Sequence, residues 1–176
     1  MNFRTHTVFK PVKWIKPRCG FKLNVDASYV PDRAFRGAIL RNEKGHLIGA
    51  ISFPLELPRS SLHAEMLAIF RATGWAIDEG YAGFQVESDA DEIIDHISGR
   101  KSGPWRDELV DFRQMCFRKG MRFRHVLREG NEPAHLLVGL SVAQFTSWAN
   151  LKFLPGPIRI VVTLNLFNLP SFRYVA

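Results

Sequence analysis

The chain reads F-K-L-N-V-D-A-S over residues 21–28, and apolar and polar residues alternate along this run. An alternation with a period of two is typical of a β-strand that packs one face against a core. Leu23 and Val25 would then face the core, with the polar residues on the opposite face. An unpaired carboxylate in such a strand costs on the order of several kcal/mol, so we expect Asp26 to end the buried run or to meet a cation.

Two more strands are predicted directly after this one. The runs at residues 35–41 and 46–52 flank Asn42-Glu43-Lys44-Gly45, whose turn-forming residues favour a hairpin of two antiparallel strands. The pattern after the hairpin predicts a helix over 61–80, a strand over 84–87, a short helix over 91–98, a helix from Pro104 to Gly120, a strand over 121–127 and a last helix over 134–145. This order indicates the α/β class, with one mixed sheet and helices on both faces.

Basic residues outnumber acidic ones. The 176 residues include 24 Lys and Arg against 17 Asp and Glu, which gives a formal charge of +7. Such an excess favours a polyanionic partner such as nucleic acid, although a merely soluble basic protein is an alternative. Cys19 and Cys116 are far apart and lack metal-ligand spacing, which fits an intracellular, reducing compartment, the cytoplasm or the nucleus.

The length of the chain favours a single domain. We place it at residues 21–150, between an N-terminal extension (1–20) and a C-terminal tail (151–176) of unknown conformation, which prolines interrupt. The apolar stretch 158–169 contains Arg159 and is shorter than the roughly 20 residues of a membrane helix. We therefore expect no membrane-spanning segment, and we expect a monomer.

Three carboxylates are candidates for a metal site. Asp89 follows a predicted strand, at the carboxyl end where open α/β sheets place their ligand sites, and Glu65 lies one turn into a helix from which it could point toward Asp26. Clustered carboxylates repel one another unless a cation neutralises them, and hard oxygen ligands hold Mg²⁺ or Mn²⁺. Two such ions about 3.5–4 Å apart can activate water for phosphodiester hydrolysis. Each acid singly is more often a cap, a solvated residue or an ion-pair partner, and spacing alone does not overturn this interpretation.

Five segments carry a more specific pattern. They are Trp14-x-x-Pro17-x-x-Gly20-x-Lys22-Leu23-Asn24-Val25-Asp26-Ala27-Ser28, the run G-A-I-L-R over 37–41, Leu62-x-Ala64-Glu65, Val86-Glu87-Ser88-Asp89 and Arg128-Glu129-Gly130-Asn131-x-x-Ala134. In order and spacing they resemble the plant reverse-transcriptase-like branch of the ribonuclease H type 1 family, over residues 14–150. The resemblance implies a ribonuclease H-like fold with a mixed five-stranded sheet, three antiparallel strands followed by two parallel ones, in which the first and fourth strands are neighbours.

The resemblance also implies an activity. It implies two-metal hydrolysis of the RNA strand of an RNA/DNA hybrid, with two Mg²⁺ or Mn²⁺ ions as cofactors and Asp26, Glu65 and Asp89 as catalytic metal ligands. Where the family has Ala-Asp at the start of the last helix, this chain has Ala134-His135, so His135 takes the fourth catalytic and metal-binding position. A neutral imidazole adds no negative charge and is a softer ligand than a carboxylate, which should weaken Mg²⁺ binding and favour Mn²⁺.

The departure at His135 leaves several functions open. One is an endonuclease on RNA/DNA hybrids that His135 impairs, and another is a catalytically inactive hybrid-binding module derived from a retroelement. A third is a truncated gene product with a marginal fold, because the pattern decays after residue 151. His135 could also be no more than a polar residue in the first turn of a helix.

Substrate contacts are harder to predict. Four polar side chains could bind phosphates or ribose 2′-hydroxyls, or could equally be turn and cap residues: Asn24, Ser28, Ser61 and, from the matching segment, Asn131. His125 precedes that segment as the catalytic histidine of bacterial type 1 enzymes does, but the pattern around it indicates a strand. A basic run over residues 100–124, with Trp105, could track a DNA strand or form a solvated helix face.

Overall fold

The computed structural model describes residues 8–31, 33–56 and 58–175, so residues 1–7 of the predicted extension and the last residue of the tail lie outside the described part. The strands are β1 (Val8–Val12), β2 (Phe21–Val30), β3 (Arg33–Asn42), β4 (Leu47–Leu55), β5 (Gln85–Ser88), β6 (Arg122–His125), β7 (Thr146–Trp148) and β8 (Ser171–Val175). The helices are α1 (Ser61–Asp78), α2 (Asp91–Ile97), α3 (Arg106–Arg118), α4 (Glu132–Gly139) and α5 (Gly156–Leu166), and short 3₁₀ helices span Arg128–Gly130 and Leu151–Phe153.

A mixed sheet forms the centre of the fold, in the order β6-β5-β2-β3-β4-β7. Strands β2, β3 and β4 are antiparallel neighbours, whereas β5 runs parallel to β2 and β6 runs parallel to β5. The predicted α/β class and the adjacency of the first and fourth predicted strands, here β2 and β5, are confirmed. The sheet has six strands instead of the expected five, because β7 adds an antiparallel edge beside β4.

Helices cover both faces of this sheet, as predicted. On one face, apolar side chains of α1, α2 and α3 pack on β2 and β5 around buried residues such as Leu23, Val25 and Ile69. On the other face, α4 and α5 cover Ile39 and Ala50 of the antiparallel strands. The side chains of the central strands are therefore buried on both sides of the sheet.

Helix α4 packs unusually close to strand β3. A Cβ atom on Gly37 would lie 2.6 Å from the carbonyl oxygen of Ala134 and 2.6 Å from the Cβ of Leu137. Only a residue without a side chain allows this approach, since such distances are well inside van der Waals contact. The glycine of the run 37–41 thereby places the start of α4, with His135, against the sheet.

Two regions differ from the predicted pattern. The last predicted helix, over 134–145, is too long, because α4 ends at Gly139 and Ser141 adopts a positive φ of 47° before the chain continues into β7. The tail, whose conformation was not predicted, contains α5 and the strand β8, which pairs antiparallel with β1. Among the described residues, none of the helices has the length and apolar character needed to cross a bilayer.

Candidate active site

Asp26 and Asp89 lie beside each other just beyond the point where the parallel pairing of β2 with β5 ends. Asn24 lies opposite Glu87 in the register of these strands, and each aspartate lies two residues further along its chain. Glu65 comes from the second turn of α1, the helix that packs on β2, and the charges of both aspartates raise the pKa of its carboxyl group. The structure therefore gathers the three predicted acids at one end of the sheet.

Burial and mutual repulsion disfavour the ionised forms of these acids. Burial, followed by the charges of Asp26 and Asp89, raises the pKa of Glu65 to about 9, although a hydrogen bond from the backbone of Ala27 acts in the opposite direction. Asp26 is only 4% exposed, and burial followed by the charge of Asp89 raises the pKa of its carboxyl group. Without a neutralising cation, Glu65 is therefore protonated at neutral pH.

The donor atoms of this cluster suit a hard divalent cation in their chemistry. The Oε2 atom of Glu65 is buried and has no hydrogen-bond partner among the described residues. Leaving such an atom unpaired costs about 1–3 kcal/mol, and a divalent cation between carboxylates would satisfy it. Within residues 8–31, 33–56 and 58–175, however, no three His, Cys, Asp or Glu side chains are already arranged to hold a metal ion. The acids are neighbours without forming a closed coordination shell.

His135 is bound to protein groups through both ring nitrogens. Its Nδ1 lies 2.8 Å from Oδ2 of Asp26, and its Nε2 lies 2.7 Å from a guanidinium nitrogen of Arg128. Because a guanidinium can only donate, Nε2 accepts, and the proton resides on Nδ1 and is donated to Asp26. His135 therefore lies at the predicted site, but in this conformation it holds Asp26 in place and leaves no ring nitrogen free for a metal.

Asn131, at the start of α4, holds the other aspartate. Its Nδ2 donates to Oδ1 of Asp89 at 3.2 Å and to the carbonyl oxygen of Val25 at 2.8 Å. Its Oδ1 accepts a hydrogen bond from Nδ2 of Asn24 at 3.2 Å. One amide thus connects the carboxyl ends of both parallel strands to the last helix of the central fold.

The geometry of this site agrees with the protein family whose model the sequence matches. A family model described as reverse transcriptase-like matches residues 24–141, which is more than half of the sequence and includes every predicted site residue. The chain belongs to the reverse transcriptase-like family. The resemblance noted from the sequence is thereby confirmed, while the search of curated proteins found no match.

Solved structures place the fold of this family member among ribonuclease H domains. Ribonuclease H1 from Halobacterium salinarum is 19% identical with a TM-score of 0.63, covering 69% of this chain and 96% of its own. LC11-RNase H1, in complex with an RNA/DNA hybrid, is 20% identical with a TM-score of 0.60 over 69% and 96%. The N-terminal ribonuclease H domain of a Mycobacterium tuberculosis protein is 17% identical with a TM-score of 0.58 over 70% and 93%. At these identities the likeness shows the ribonuclease H-like fold alone.

The predicted substrate contacts of this reverse transcriptase-like chain lie in different surroundings. Asn24 and Asn131 are completely buried, with their side-chain atoms bonded within the protein, which argues against direct contact with a substrate. Ser28 and Ser61 are exposed at the end region of β2 and at the first turn of α1. The helix cap is Ser60, whose hydroxyl accepts from the backbone of His63. Only the two serines remain available to a ligand.

A buried polar network surrounds Asn24, two residues before Asp26 on β2, and the sequence analysis did not predict it. Oδ1 of Asn24 accepts from a guanidinium nitrogen of Arg41 at 2.8 Å and from the indole of Trp14 at 3.0 Å. Beside it, Lys22 and Glu87 form an ion pair at 2.7 Å with both side chains almost completely buried. All five residues belong to the segments that carry the family resemblance, and the alternating polar face of β2 was the available signal.

Proposed function

We propose that this chain is a ribonuclease that cleaves the RNA strand of RNA/DNA hybrids, with Asp26, Glu65 and Asp89 holding divalent metal ions. The observation that carries the proposal is the cluster of three carboxyl groups beyond the parallel pairing of β2 and β5, in which a buried oxygen of Glu65 lacks a partner among the described residues. The hybrid bound to LC11-RNase H1, which shares the fold, supports this substrate class. The basic composition of the chain is consistent with a polyanionic ligand.

When bound, two Mg²⁺ or Mn²⁺ ions would supply an activated water and a positive charge for the leaving oxygen of the phosphodiester. The chain's own residues prepare the site for this chemistry. His135 fixes the orientation of Asp26 through its Nδ1 proton, and Asn131 fixes Asp89. Glu65 contributes an oxygen that no protein donor occupies among the described residues. Because Asp26 and Asp89 are already held by hydrogen bonds, fewer ligand side chains need to be reoriented when metal binds.

A second candidate function, a catalytically inactive hybrid-binding module derived from a retroelement, is favoured by the environment of His135. The fourth position supplies no carboxylate, and its imidazole is tied to Asp26 and to Arg128. With one acidic ligand fewer, the affinity of the site for Mg²⁺ falls, while the fold and the basic surface are retained.

The two candidates separate in a cleavage assay on a hybrid with labelled RNA, in Mg²⁺ and in Mn²⁺. For a nuclease we expect Asp26→Asn to lower the rate about 100-fold or more, since it removes a ligand charge worth several kcal/mol in the transition state. His135→Asp should raise the rate in Mg²⁺ roughly tenfold and reduce any preference for Mn²⁺.

The matched control is Asp111→Asn, which removes one carboxylate from the exposed surface of α3 and should leave the rate unchanged. Thermal unfolding of each variant confirms that the fold is intact. If the native chain binds the hybrid without cleaving it, and only His135→Asp cleaves, the binding module is correct and the nuclease is not.

A further inference from the structure

A groove with basic walls lies at the β6 side of the sheet, outside the carboxylate cluster. The segment over residues 13–20, which we call the strap, passes over β2, β5 and β6 and leaves two adjoining cavities of about 410 and 260 Å³. Both cavities are lined by Ile15 of the strap and by Arg124 of β6. The two cavities therefore lie side by side along the edge strand β6, and we call them together the groove.

The charge of this groove is positive and largely unbalanced. Arg18, Arg122 and Arg124 line it and are exposed, and none of the ion pairs between described side chains involves them. The one acidic residue among those that line the two cavities is Glu87, whose charge is already paired with the buried Lys22. Arginines without acidic partners are ready to bind an anion, particularly a phosphate.

The wall that the strap provides is held in place at several points. The Trp14 ring is buried, donates to Asn24 and stacks on the guanidinium of Arg41 at 3.5 Å from the ring centre. Lys22 donates to the carbonyl oxygen of Ile15, and the ammonium of Lys16 donates to the last carbonyl of α5 at 2.9 Å. A groove with fixed walls loses little conformational entropy when it binds a ligand.

The groove also leads toward the carboxylate cluster. Arg122 and Arg124 are two residues apart on one face of β6, about 7 Å, which is close to the distance between neighbouring phosphates of an extended strand. The smaller cavity is lined by Arg124, Leu127 and Gly130, and Gly130 directly precedes the Asn131 that holds Asp89. A strand bound along β6 would thus run toward the carboxylate cluster at which we propose that a hybrid is cleaved.

We propose that this groove binds the sugar–phosphate backbone of a single-stranded nucleic acid that continues from a hybrid held at the carboxylate cluster. The nucleic-acid class of this ligand rests on the proposed function. A flexible single strand can follow the walls of cavities of about 410 and 260 Å³, whereas a duplex is stiff over such lengths. Backbone contacts by arginine require no particular base sequence.

The chain contains its own reporter for this interaction. Cys19 is exposed and lines the larger cavity, whereas Cys116 is buried and its pKa is raised to about 12 by burial, so only Cys19 should react with iodoacetamide at neutral pH. We expect a single-stranded oligonucleotide of about 12 nucleotides to slow the alkylation of Cys19 in the native chain. High salt should restore the rate, because backbone contacts are salt-sensitive.

A binding measurement with charge-matched variants completes the test. We expect Arg122→Gln/Arg124→Gln to weaken binding of the same oligonucleotide roughly tenfold and to lower the slope of log affinity against log salt by about 1.4, the loss of two phosphate contacts on a single strand. The control Arg71→Gln/Lys152→Gln removes two exposed charges that line neither cavity and should bind like the native chain.

Two results would overturn the proposal that the groove binds a single strand. One is equal binding by the two double variants, and the other is an unchanged rate of Cys19 alkylation in a saturated complex. An acidic peptide that protects Cys19 when the oligonucleotide does not overturns it as well. Protection of Cys19 together with absent cleavage of any hybrid by the native chain keeps the groove and rejects the nuclease, so the two proposals fail in different measurements.

Discussion

Strand β2 carries two polar side chains, Asn24 and Asp26, that point to the same side and lie in opposite electrostatic situations. Around Asn24, the carboxylate of Glu87 lies near the two cations Lys22 and Arg41, and both polar side-chain atoms of the asparagine are bonded, although Nε of Arg41 has no hydrogen-bond partner among the described residues. Around Asp26, carboxyl groups of one sign accumulate, and one oxygen of Glu65 is left without a partner among the described residues. The two environments are only two residues apart.

This difference separates a polar cluster that supports the fold from the cluster that we propose to be functional. A network of opposite charges and bonded amides in a low-dielectric interior rigidifies the fold, and its amide groups have no capacity left for a ligand. A cluster of like charges costs stability and is retained where a cation compensates it, as in a binding or catalytic site. We therefore assign the support of the fold to the network of Asn24 and the chemistry to the cluster of Asp26.

The largest effect expected from this comparison is on the free energy of unfolding, through the network around Asn24. Arg41 is completely buried, and Arg41→Met leaves Oδ1 of Asn165 without its donor and takes one donor from Asn24. We expect the free energy of unfolding to fall by about 3 kcal/mol, measured by urea denaturation. Arg33→Met, on an exposed position of the same strand, should change it by less than about 0.5 kcal/mol. Equal losses in both variants would contradict the assignment.

A second prediction tests the residue that joins the two environments. Asn131→Ala removes the donor to Asp89 and the acceptor for Asn24, and should cost about 2 kcal/mol of stability. Asn165→Ala removes one buried amide that bonds only to the network around Asn24, and it should lower the free energy of unfolding by a similar amount. If Asn131 positions Asp89, only Asn131→Ala should also raise the Mg²⁺ concentration needed for half-maximal hybrid cleavage. A parallel change in both variants would mean that Asn131 acts through stability only.

The smallest expected effect concerns the carboxyl cluster of Asp26, Glu65 and Asp89, where a substitution should raise the free energy of unfolding. The raised pKa of Glu65, about 9 against an ordinary 4.5, means that the folded chain keeps a proton that the unfolded chain has lost. The stabilisation that comes from this retained proton is fully present below about pH 4.5 and is lost as the pH rises toward 9.

Glu65→Gln has no such proton to lose, so at pH 8 and without divalent cations it should be more stable than the native chain by on the order of 1 kcal/mol. Urea denaturation at pH 5 and pH 8 measures the change, and Glu108→Gln, an exposed acid on α3, serves as the control. A native chain that gains stability between these pH values, relative to Glu65→Gln, would disprove the raised pKa.

Local patterns in the sequence were sufficient for the elements that decide the fold. The alternation over residues 21–28 predicted β2, and Asp26 within β2 could be placed near Asp89 after β5 because their strands were expected to be parallel neighbours. The end of α4 could not be predicted, because apolar residues continue past Gly139 while the backbone turns at Ser141.

The burial of Asn24 could not be predicted for a different reason. Its partners Trp14, Arg41, Glu87 and Asn131 come from four other segments, and no periodicity within β2 identifies them. The same holds for α5, whose polar Asn165 is buried only because it meets a guanidinium from the centre of the sheet. Local patterns report which face is apolar, whereas long-range pairing decides which polar residues are buried with it.

The contact between Arg41 and Asn165 spans 124 residues of sequence. At translation rates of 5–20 residues per second, the arginine leaves the ribosome roughly ten seconds before its amide partner. During that interval the strands β2, β3 and β4 can pair, but the face that α5 will cover is open and a cation in it is incompletely neutralised. The nascent sheet is therefore most vulnerable to aggregation and to chaperone binding before α5 is synthesised, and this face of the fold is completed only when α5 has left the ribosome.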